Sequence, residues 1–490
     1  MSNINNKIQM ADLGVQPNKT LLEDLINEPE KLKKEKLEKS NVKLYILNNI
    51  TEVDFRAEAG LEDNEKMLNR KHYIVLSIQL LKRKLIELNL GLLQKDGLVY
   101  LYNGEFWQGI KNHECANLLG KAALKMGVEY IEAKFFKFKE DLLKQFLSES
   151  HFEYGLKKDC TLINFKNGTF EITKDHQYLR EFRKEDFLTY QLPFEYDENA
   201  EAPLFNSFIN QVLPEIELRY TISEYLGSIF IKNNILKFEK ALFLYGSGSN
   251  GKSVLFDIIK ALIGNENFSS YSLDSLTKDK DSRAMISDKL LNYSSELSSN
   301  LESDFFKKLV SGEPVDARRL YCSSFMMEDY AKLMFNTNEL PSNVEHNHGF
   351  FRRFMIIPFK VTIEEHQQDR QLSQKIIKSE LPGIFNWVMD GLRRLLKNKA
   401  FTESEIIENQ VDEFKRDSNS VLSFIDEEKY VKSMTDVTSL SDLYTNYKIY
   451  CSANNNSPCS KKKFSKRFED DGFTKTRMKE GMFFNTIKEV

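Results

Sequence analysis

Residues 241–253 read ALFLYGSGSNGKS. Five apolar or aromatic residues run directly into Gly246-x-x-x-x-Gly251-Lys252-Ser253, and the mainly apolar stretch VLFDIIKALI follows. This order of strand, glycine-rich loop and helix constrains the fold more than any other feature, because such a loop works only where a parallel strand hands over to a helix. Glycines let successive backbone N–H groups turn inward onto phosphate oxygens. The helix N-terminus adds a partial positive charge. Gly246, Ser247, Gly248, Ser249, Asn250, Gly251, Lys252 and Ser253 are therefore the expected ATP-binding residues. Lys252 is aimed at the β- and γ-phosphates and the Ser253 hydroxyl at Mg²⁺, which makes ATP and Mg²⁺ the expected cofactors. A loop of this kind specifies a nucleotide and not the work done with it.

Three more apolar segments border polar residues suited to that chemistry. KLLNYSSE ends in Glu296, a carboxylate able to polarise a water and to contact the metal, against the alternative of an exposed strand-end acid. AKLMFNTNELP presents Asn338 as a γ-phosphate sensor, with Asn336 one alternation away as its competitor. FFRRFMIIPF carries Arg352 and Arg353 ahead of a strand. Either can neutralise transition-state charge at a neighbouring subunit's nucleotide, and Arg353 is preferred because it abuts the strand.

With 490 residues, the chain is long enough for several domains. The reading is a polar arm at 1–41 (its charge run is Glu30–Lys39), an N-terminal α+β domain at 42–160 and a pre-motor helical region at 161–235. An α/β motor at 236–400, a helical connector at 401–436 and a winged-helix-like module at 437–490 follow. Tyr73–Leu88 has helical spacing, and Asn103-Gly104 and Asn167-Gly168 read as two-residue hairpin turns. The net charge of −4 excludes a globally basic nucleic-acid binder, so any DNA contact must be local. No CxxC pair occurs among the five cysteines, which points to reduced thiols rather than zinc. No apolar run is long enough to span a bilayer and no signal-peptide core opens the chain, so a cytoplasmic location without membrane contact is expected.

Taken together, ALFLYGSGSNGKS, NYSSEL, FFKKLVSGEPVDARRLY, FNTNELP and FFRRFMIIPF resemble the superfamily 3 helicases, and within them the poxvirus, phage and plasmid primase–helicase branch. The likeness is strongest over Leu242–Phe359 and weaker in INFKNGTFEIT and LPFEYDENAEAPLFNSFI upstream and LPGIFNWVMDGLRRL downstream. It implies a hexameric AAA+ ring, a replicative DNA helicase of a mobile element, and single-stranded or forked DNA as substrate. It also implies Glu296 as the acid, Asn338 as the sensor and Arg353 or Arg352 as the trans-acting finger. Ser295 stands where many such ATPases have Asp, which leaves Glu296 to cover both roles. No acidic metal pair with a downstream His precedes residue 160, since His72, His113 and His151 are scattered, so a separate primase is expected.

The resemblance puts the DNA-gripping segment between Glu296 and the sensor strand, where Lys307, Lys308, Arg318 and Arg319 stand and Tyr321 shares the Arg319 face. A second basic cluster, Lys461, Lys462, Lys463, Lys466 and Arg467, falls on the helix that a winged helix would offer to a duplex, origin DNA included. The alternatives are solvated charge at both places and, for the whole chain, an origin-binding initiator that melts DNA without processive unwinding. A P-loop kinase is a third and weaker reading.

Overall fold

The computed structural model describes residues 41–61, 67–95, 97–150, 160–173, 175–232, 235–295, 302–319, 324–341, 344–454 and 458–489. The charge run at Glu30–Lys39, Glu296 and Tyr321 lie outside the described residues. The chain divides into two compact units, Met1–Leu156 with Phe182–Thr189, and Lys157–Glu181 with Tyr190–Val490.

In the first unit, α1 (Arg70–Glu87) forms where the spacing predicts it. Asn69 accepts from the Lys71 and His72 amides, and its own amide donates to His72 Nδ1 at 3.1 Å, so the helix starts with its orphan donors satisfied. Leu76, Ile78, Leu81 and Leu85 are the buried side. An antiparallel sheet follows, β1 (Gly91–Lys95), β2 (Leu98–Tyr102) and β3 (Trp107–Ile110), in that order. The hairpin expected at Asn103-Gly104 is present, but its turn has four residues. Asn103 Oδ1 accepts from the Glu105 and Phe106 amides at 2.9 Å each and draws both into the turn. Helices α2 (Asn112–Lys125) and α3 (Phe136–Glu149) complete the core through Leu119, Ala123, Phe138, Leu142 and Phe146.

The expected boundary at 160 needs correction, because Phe182–Thr189 returns to this first unit. Trp107 is almost wholly buried, and its indole N–H donates to the Lys184 carbonyl at 2.8 Å. Its amide donates to the Leu188 carbonyl, and Tyr100 meets Phe187 edge-on. An aromatic needing both a dry pocket and one polar partner finds them in this strap.

The second unit opens with the antiparallel β4 (Thr161–Phe165), β5 (Gly168–Ile172) and β6 (Gln177–Arg180). Phe165 pairs with Gly168, so the turn is Lys166-Asn167, one residue earlier than expected. Gly168 is needed inside the strand, where a Cβ would stand 2.5 Å from the Arg180 carbonyl oxygen. Helices α4 (Pro203–Val212) and α5 (Ile216–Ser228) follow. Pro203 suits the first turn of α4, and the next two amides, Leu204 and Phe205, donate to the Glu380 carboxylate at 3.0 and 2.9 Å. A residue far along the chain thus caps this helix.

The α/β region then runs β7 (Ala241–Tyr245), α6 (Lys252–Ile263), β8 (Phe268–Ser269), α7 (Lys280–Ala284), β9 (Leu291–Ser294), α8 (Ser303–Ser311), β10 (Val315–Arg318), β11 (Ser324–Met327), β12 (Lys332–Thr337), α9 (His348–Phe351) and β13 (Phe354–Pro358). Five strands form one parallel sheet in the order β13-β7-β12-β9-β8, and β10 and β11 form a separate antiparallel hairpin. The near-continuous apolar strands are buried on both faces, as such a sheet requires. Phe243 lies between Phe335 and Phe354, with ring centroids 5.2 and 4.7 Å away.

Beyond the sheet come α10 (Leu381–Asn398), α11 (Glu405–Asp417), α12 (Ser420–Glu427), β14 (Tyr430–Lys432), β15 (Thr438–Ser439), α13 (Leu440–Ala453), α14 (Lys461–Asp470), β16 (Lys475–Met478), β17 (Gly481–Phe484) and β18 (Thr486–Lys488). Val421, Phe424, Tyr447, Phe464, Phe468 and Phe484 share one core. The C-terminal module therefore begins at α12, ahead of the boundary expected at 437, because the apolar face of α12 has its partners there.

Candidate nucleotide site and nucleic-acid surfaces

All five strands of a parallel sheet point their carboxyl ends the same way, and there the loop Gly246–Ser253 leaves β7. Gly246 N donates to the Thr337 carbonyl at 3.2 Å, and Phe359 N to the Tyr245 carbonyl at 2.7 Å, so the loop is tied to the exits of both neighbouring strands. Ser249 O accepts from the Ile363 amide at 2.8 Å. Gly251 has φ +86° and caps α6 without a side-chain bond, leaving the first amides of a 12-residue helix available to an anion. A Cβ at Gly251 would stand 2.7 Å from Val212 Cγ1 and 3.0 Å from Phe208 Cε2, so α4 is the floor on which the loop rests.

Lys252 is only 7% exposed. Its ammonium donates to the Gly246 carbonyl at 2.5 Å and to Asn250 Oδ1 at 3.2 Å, and burial lowers its pKa. Asn250 Nδ2 donates in turn to the Phe359 carbonyl at 3.3 Å. A largely buried cation beside the uncapped first amides of α6 has the charge and donors that phosphate oxygens would take. Ser253 is exposed one residue further on. Mg²⁺ takes oxygen ligands and keeps several waters and phosphates, so a hydroxyl here fits the metal of a nucleotide complex.

At the same end of the sheet, Ser295 follows β9 and Asn338 follows β12, both exposed. Asn336, the competing sensor candidate, is taken up inside: Tyr293 Oη donates to its Oδ1 at 2.7 Å, and both side chains are buried. The geometry therefore brings Asn338 to the phosphate loop's end and engages Asn336 within the sheet.

Arg352 and Arg353 lie at the opposite, amino end. Ala241 N donates to the Arg353 carbonyl at 2.9 Å, and Phe354 pairs with Ala241. Arg353, preferred because it abuts the strand, is buried for that same reason. It donates to Ser311 Oγ through Nε at 3.1 Å and Nη2 at 2.7 Å, and to the Gly349 carbonyl. Arg352 pairs with Glu239, and its side chain keeps 41% of its surface. Burial pushes the Glu239 carboxyl up, but Arg352 and then Arg353 outweigh it and leave it below the usual range. Nothing in the sequence marked Glu239 or Ser311 as holders of the arginine pair.

The basic candidates divide similarly. Lys307 is held by Asp304 at 2.9 Å and by Glu345 at 2.8 Å, with little free surface. Lys308 is exposed, its ammonium 5.6 Å from the Phe305 ring centre. Arg318 and Arg319 stand at the end of β10 where the hairpin turns, Arg319 stacked on Phe325 at 4.3 Å. On α14, Phe464, Ser465 and Phe468 are buried, whereas Lys461, Lys462, Lys463 and Lys466 face outward. Arg467 is half-buried, donating to Asn419 Oδ1 at 3.2 Å. Among the described residues no group of three or more His, Cys, Asp or Glu forms a ready-made metal cage, and no helix is long and apolar enough to cross a membrane.

Residues 92–214 match the family described as D5 N terminal like, residues 244–353 a family of unknown function (DUF5906), and residues 416–489 the poxvirus D5 protein-like family. A protein of Acanthamoeba polyphaga mimivirus named as a helicase (L207/L206) is 25% identical over 275 residues, 53% of this chain. One of Invertebrate iridescent virus 3, also named as a helicase (121R), is 22% identical over 327 residues, 59% of this chain. The chain spans 28% and 34% of those two relatives' own lengths. The D5-type matches at both ends and the helicase-named relatives support a likeness to the D5-like branch of the superfamily 3 helicases. Among solved structures, the C-terminal region of NrS-1 aligns over 84% of this chain and 99% of that one, with 12% identity and a TM-score of 0.47.

Proposed function

We propose that this chain is the ATP-driven motor of a viral-type replicative DNA helicase, working on single-stranded DNA as a hexameric ring. The observation that carries this is the polarity of the sheet. The phosphate loop and Asn338 occupy its carboxyl end and Arg352 its amino end. Strands of five residues at ~3.3 Å each separate the two ends by about 16 Å, too far for Arg352 to reach phosphate on its own loop. Head-to-tail neighbours bring the two ends together, and such contacts form a ring when the rotation between subunits closes.

At each interface Lys252 and the α6 amides hold the phosphates and Asn338 orients the lytic water. Arg352 of the next subunit meets the charge that develops on the transferred phosphoryl group. Ser253 and, by its place in the sequence, Glu296 are the residues that would hold Mg²⁺, which would supply charge to neutralise the phosphates when bound. Glu296 follows Ser295 at the carboxyl end of β9 in the sequence and is the base in this reading. The β10–β11 hairpin, with Arg318, Arg319 and nearby Lys308, grips the strand by its phosphates. Domain limits follow the two-unit division and the earlier start of the C-terminal module. A cytoplasmic setting and a separately supplied primase belong to the same reading.

The helix–helix–hairpin order of α13, α14 and β16–β17 supports a winged-helix-like module, and the lysine face of α14 favours a second reading, an origin-binding initiator that melts DNA locally. One experiment separates the two: ATP hydrolysis with and without single-stranded DNA, run beside strand displacement on a forked duplex. Stimulated hydrolysis with displacement supports the helicase. Hydrolysis without displacement moves the assignment to the initiator, and absence of ATP hydrolysis overturns both.

A further inference from the structure

Helix α7 is bound to the base of the β10–β11 hairpin by charge. Arg283, 2% exposed, donates to the Asp316 carbonyl at 2.7 Å, contacts its carboxylate at 3.3 Å, and also donates to the Leu276 and Thr277 carbonyls. Lys280 pairs with the same Asp316 at 2.7 Å. These bonds fix where α7 stands. On the frame they make, Asp281 takes the Arg318 guanidinium with both oxygens, Oδ1 to Nε at 2.9 Å and Oδ2 to Nη2 at 3.2 Å. This last pair is exposed, with 51% of the Arg318 side chain and 35% of the Asp281 side chain in solvent, whereas Arg283 is buried.

A guanidinium forked onto a carboxylate presents the same two N–H groups that it would present to a phosphate. The two anions cannot share them. We propose that Asp281 is a latch that competes with DNA phosphate for Arg318, so that a single strand binds at the hairpin by displacing the carboxylate and parting Arg318 from α7. The proposal rests on the reading of the hairpin as a DNA contact. Arg319 is engaged differently, stacked on Phe325. The rigid Arg283–Asp316 bonds hold the latch residue in place when Arg318 leaves, so engagement is a local exchange of anions.

An exposed ion pair of this kind is worth little, so its removal is read as a modest affinity change. The test is binding of a fluorescent oligothymidine to the full chain, comparing wild type, Asp281→Asn, Arg318→Ala and the double variant. The latch predicts about two- to five-fold tighter binding for Asp281→Asn, and no gain from the same change in the Arg318→Ala background. Equal tightening in both backgrounds would mean that Asp281 acts only through the general field, and the latch is overturned. Unchanged or weaker binding by Asp281→Asn overturns it as well. If Arg318→Ala binds like wild type, Arg318 is not a DNA contact and the latch falls with it. If wild type does not bind the strand at all, the helicase reading itself has failed.

Discussion

His346 Nε2 donates to the Ser418 carbonyl at 2.8 Å, so the loop that leads to Arg352 is fastened to the junction of α11 and α12. Ser418 is followed by Asn419, which accepts from Arg467 on α14 and from the Val421 amide. On the other side of the same loop Glu345 is held by Lys307. The arginine-bearing segment is thus pinned between the motor's own α8 and the C-terminal module.

Burial, then Arg467 and Lys415, lower the His346 pKa to about 4. An unfolded chain takes up this proton near 6.5, so between those values the unfolded state binds more protons. The His346 contribution to stability is complete above about pH 6.5 and is lost as the pH falls toward 4. His346→Gln keeps an N–H for Ser418 and removes the titration. Urea unfolding at about pH 7 and about pH 5 should show a smaller drop for this variant than for wild type.

Lys252→Ala should reduce ATP hydrolysis at least ~100-fold, because the phosphate charge goes unmatched inside a loop built around that ammonium. Loss of hydrolysis should come with an unchanged melting temperature; activity near wild type would dismiss the site.

Replacing the two arginines should have different effects. Arg352→Ala should lower hydrolysis by ~10³ in the assembled ring while nucleotide binding persists. Mixing it with Lys252→Ala subunits should restore part of the activity, since one interface in the mixture then has both groups. Arg353→Ala removes bonds to Ser311 and Gly349 and should cost about 2 kcal/mol of stability, read as a lower urea midpoint. Absence of rescue at every mixing ratio would argue against action in trans.

Glu380→Ala leaves the Leu204 and Phe205 amides of α4 without acceptors and should destabilise the helix by about 1–2 kcal/mol. Because Phe208 and Val212 of that helix support Gly251, the KM for ATP should rise along with the loss of stability. An unchanged KM would separate the helix from the loop.

The triple change of Lys462, Lys463 and Lys466 to Gln tests the α14 surface. Duplex affinity measured against salt should lose about 2–3 from the magnitude of its log–log slope, at ~0.9 per phosphate contact. A slope equal to wild type would make these lysines ordinary solvated charge.

The parallel sheet and its glycine loop were largely legible in the sequence because their signals are local. An apolar strand, a glycine loop and an apolar helix in succession leave little freedom, and the later strands β9, β12 and β13 each lie within a residue or two of their polar candidates. What could not be read depends on side chains meeting across long stretches of chain. Whether Asn336 or Asn338 faces the loop's end is decided by the Tyr293 hydroxyl on a neighbouring strand. Which arginine stays at the surface is decided by Ser311 at the end of α8 and by Glu239 before β7. That Lys307 is ion-paired while Lys308 is exposed could not be read, because neither Asp304 nor Glu345 is distinguishable from other acids until the fold brings them to it. The turn at Asn103 was misplaced for a smaller reason, since an Asn side chain can cap a turn as readily as sit in one.

The strap Phe182–Thr189 makes the two units inseparable by any single cut. A fragment ending at 160 would carry Trp107 without the Lys184 and Leu188 carbonyls that accept from it, and one beginning at 161 would carry eight residues torn from their seat. Protease nicking or fragment expression at that point yields two damaged halves rather than two modules. An insertion or a hinge is tolerated there only if the chain's return passage is kept.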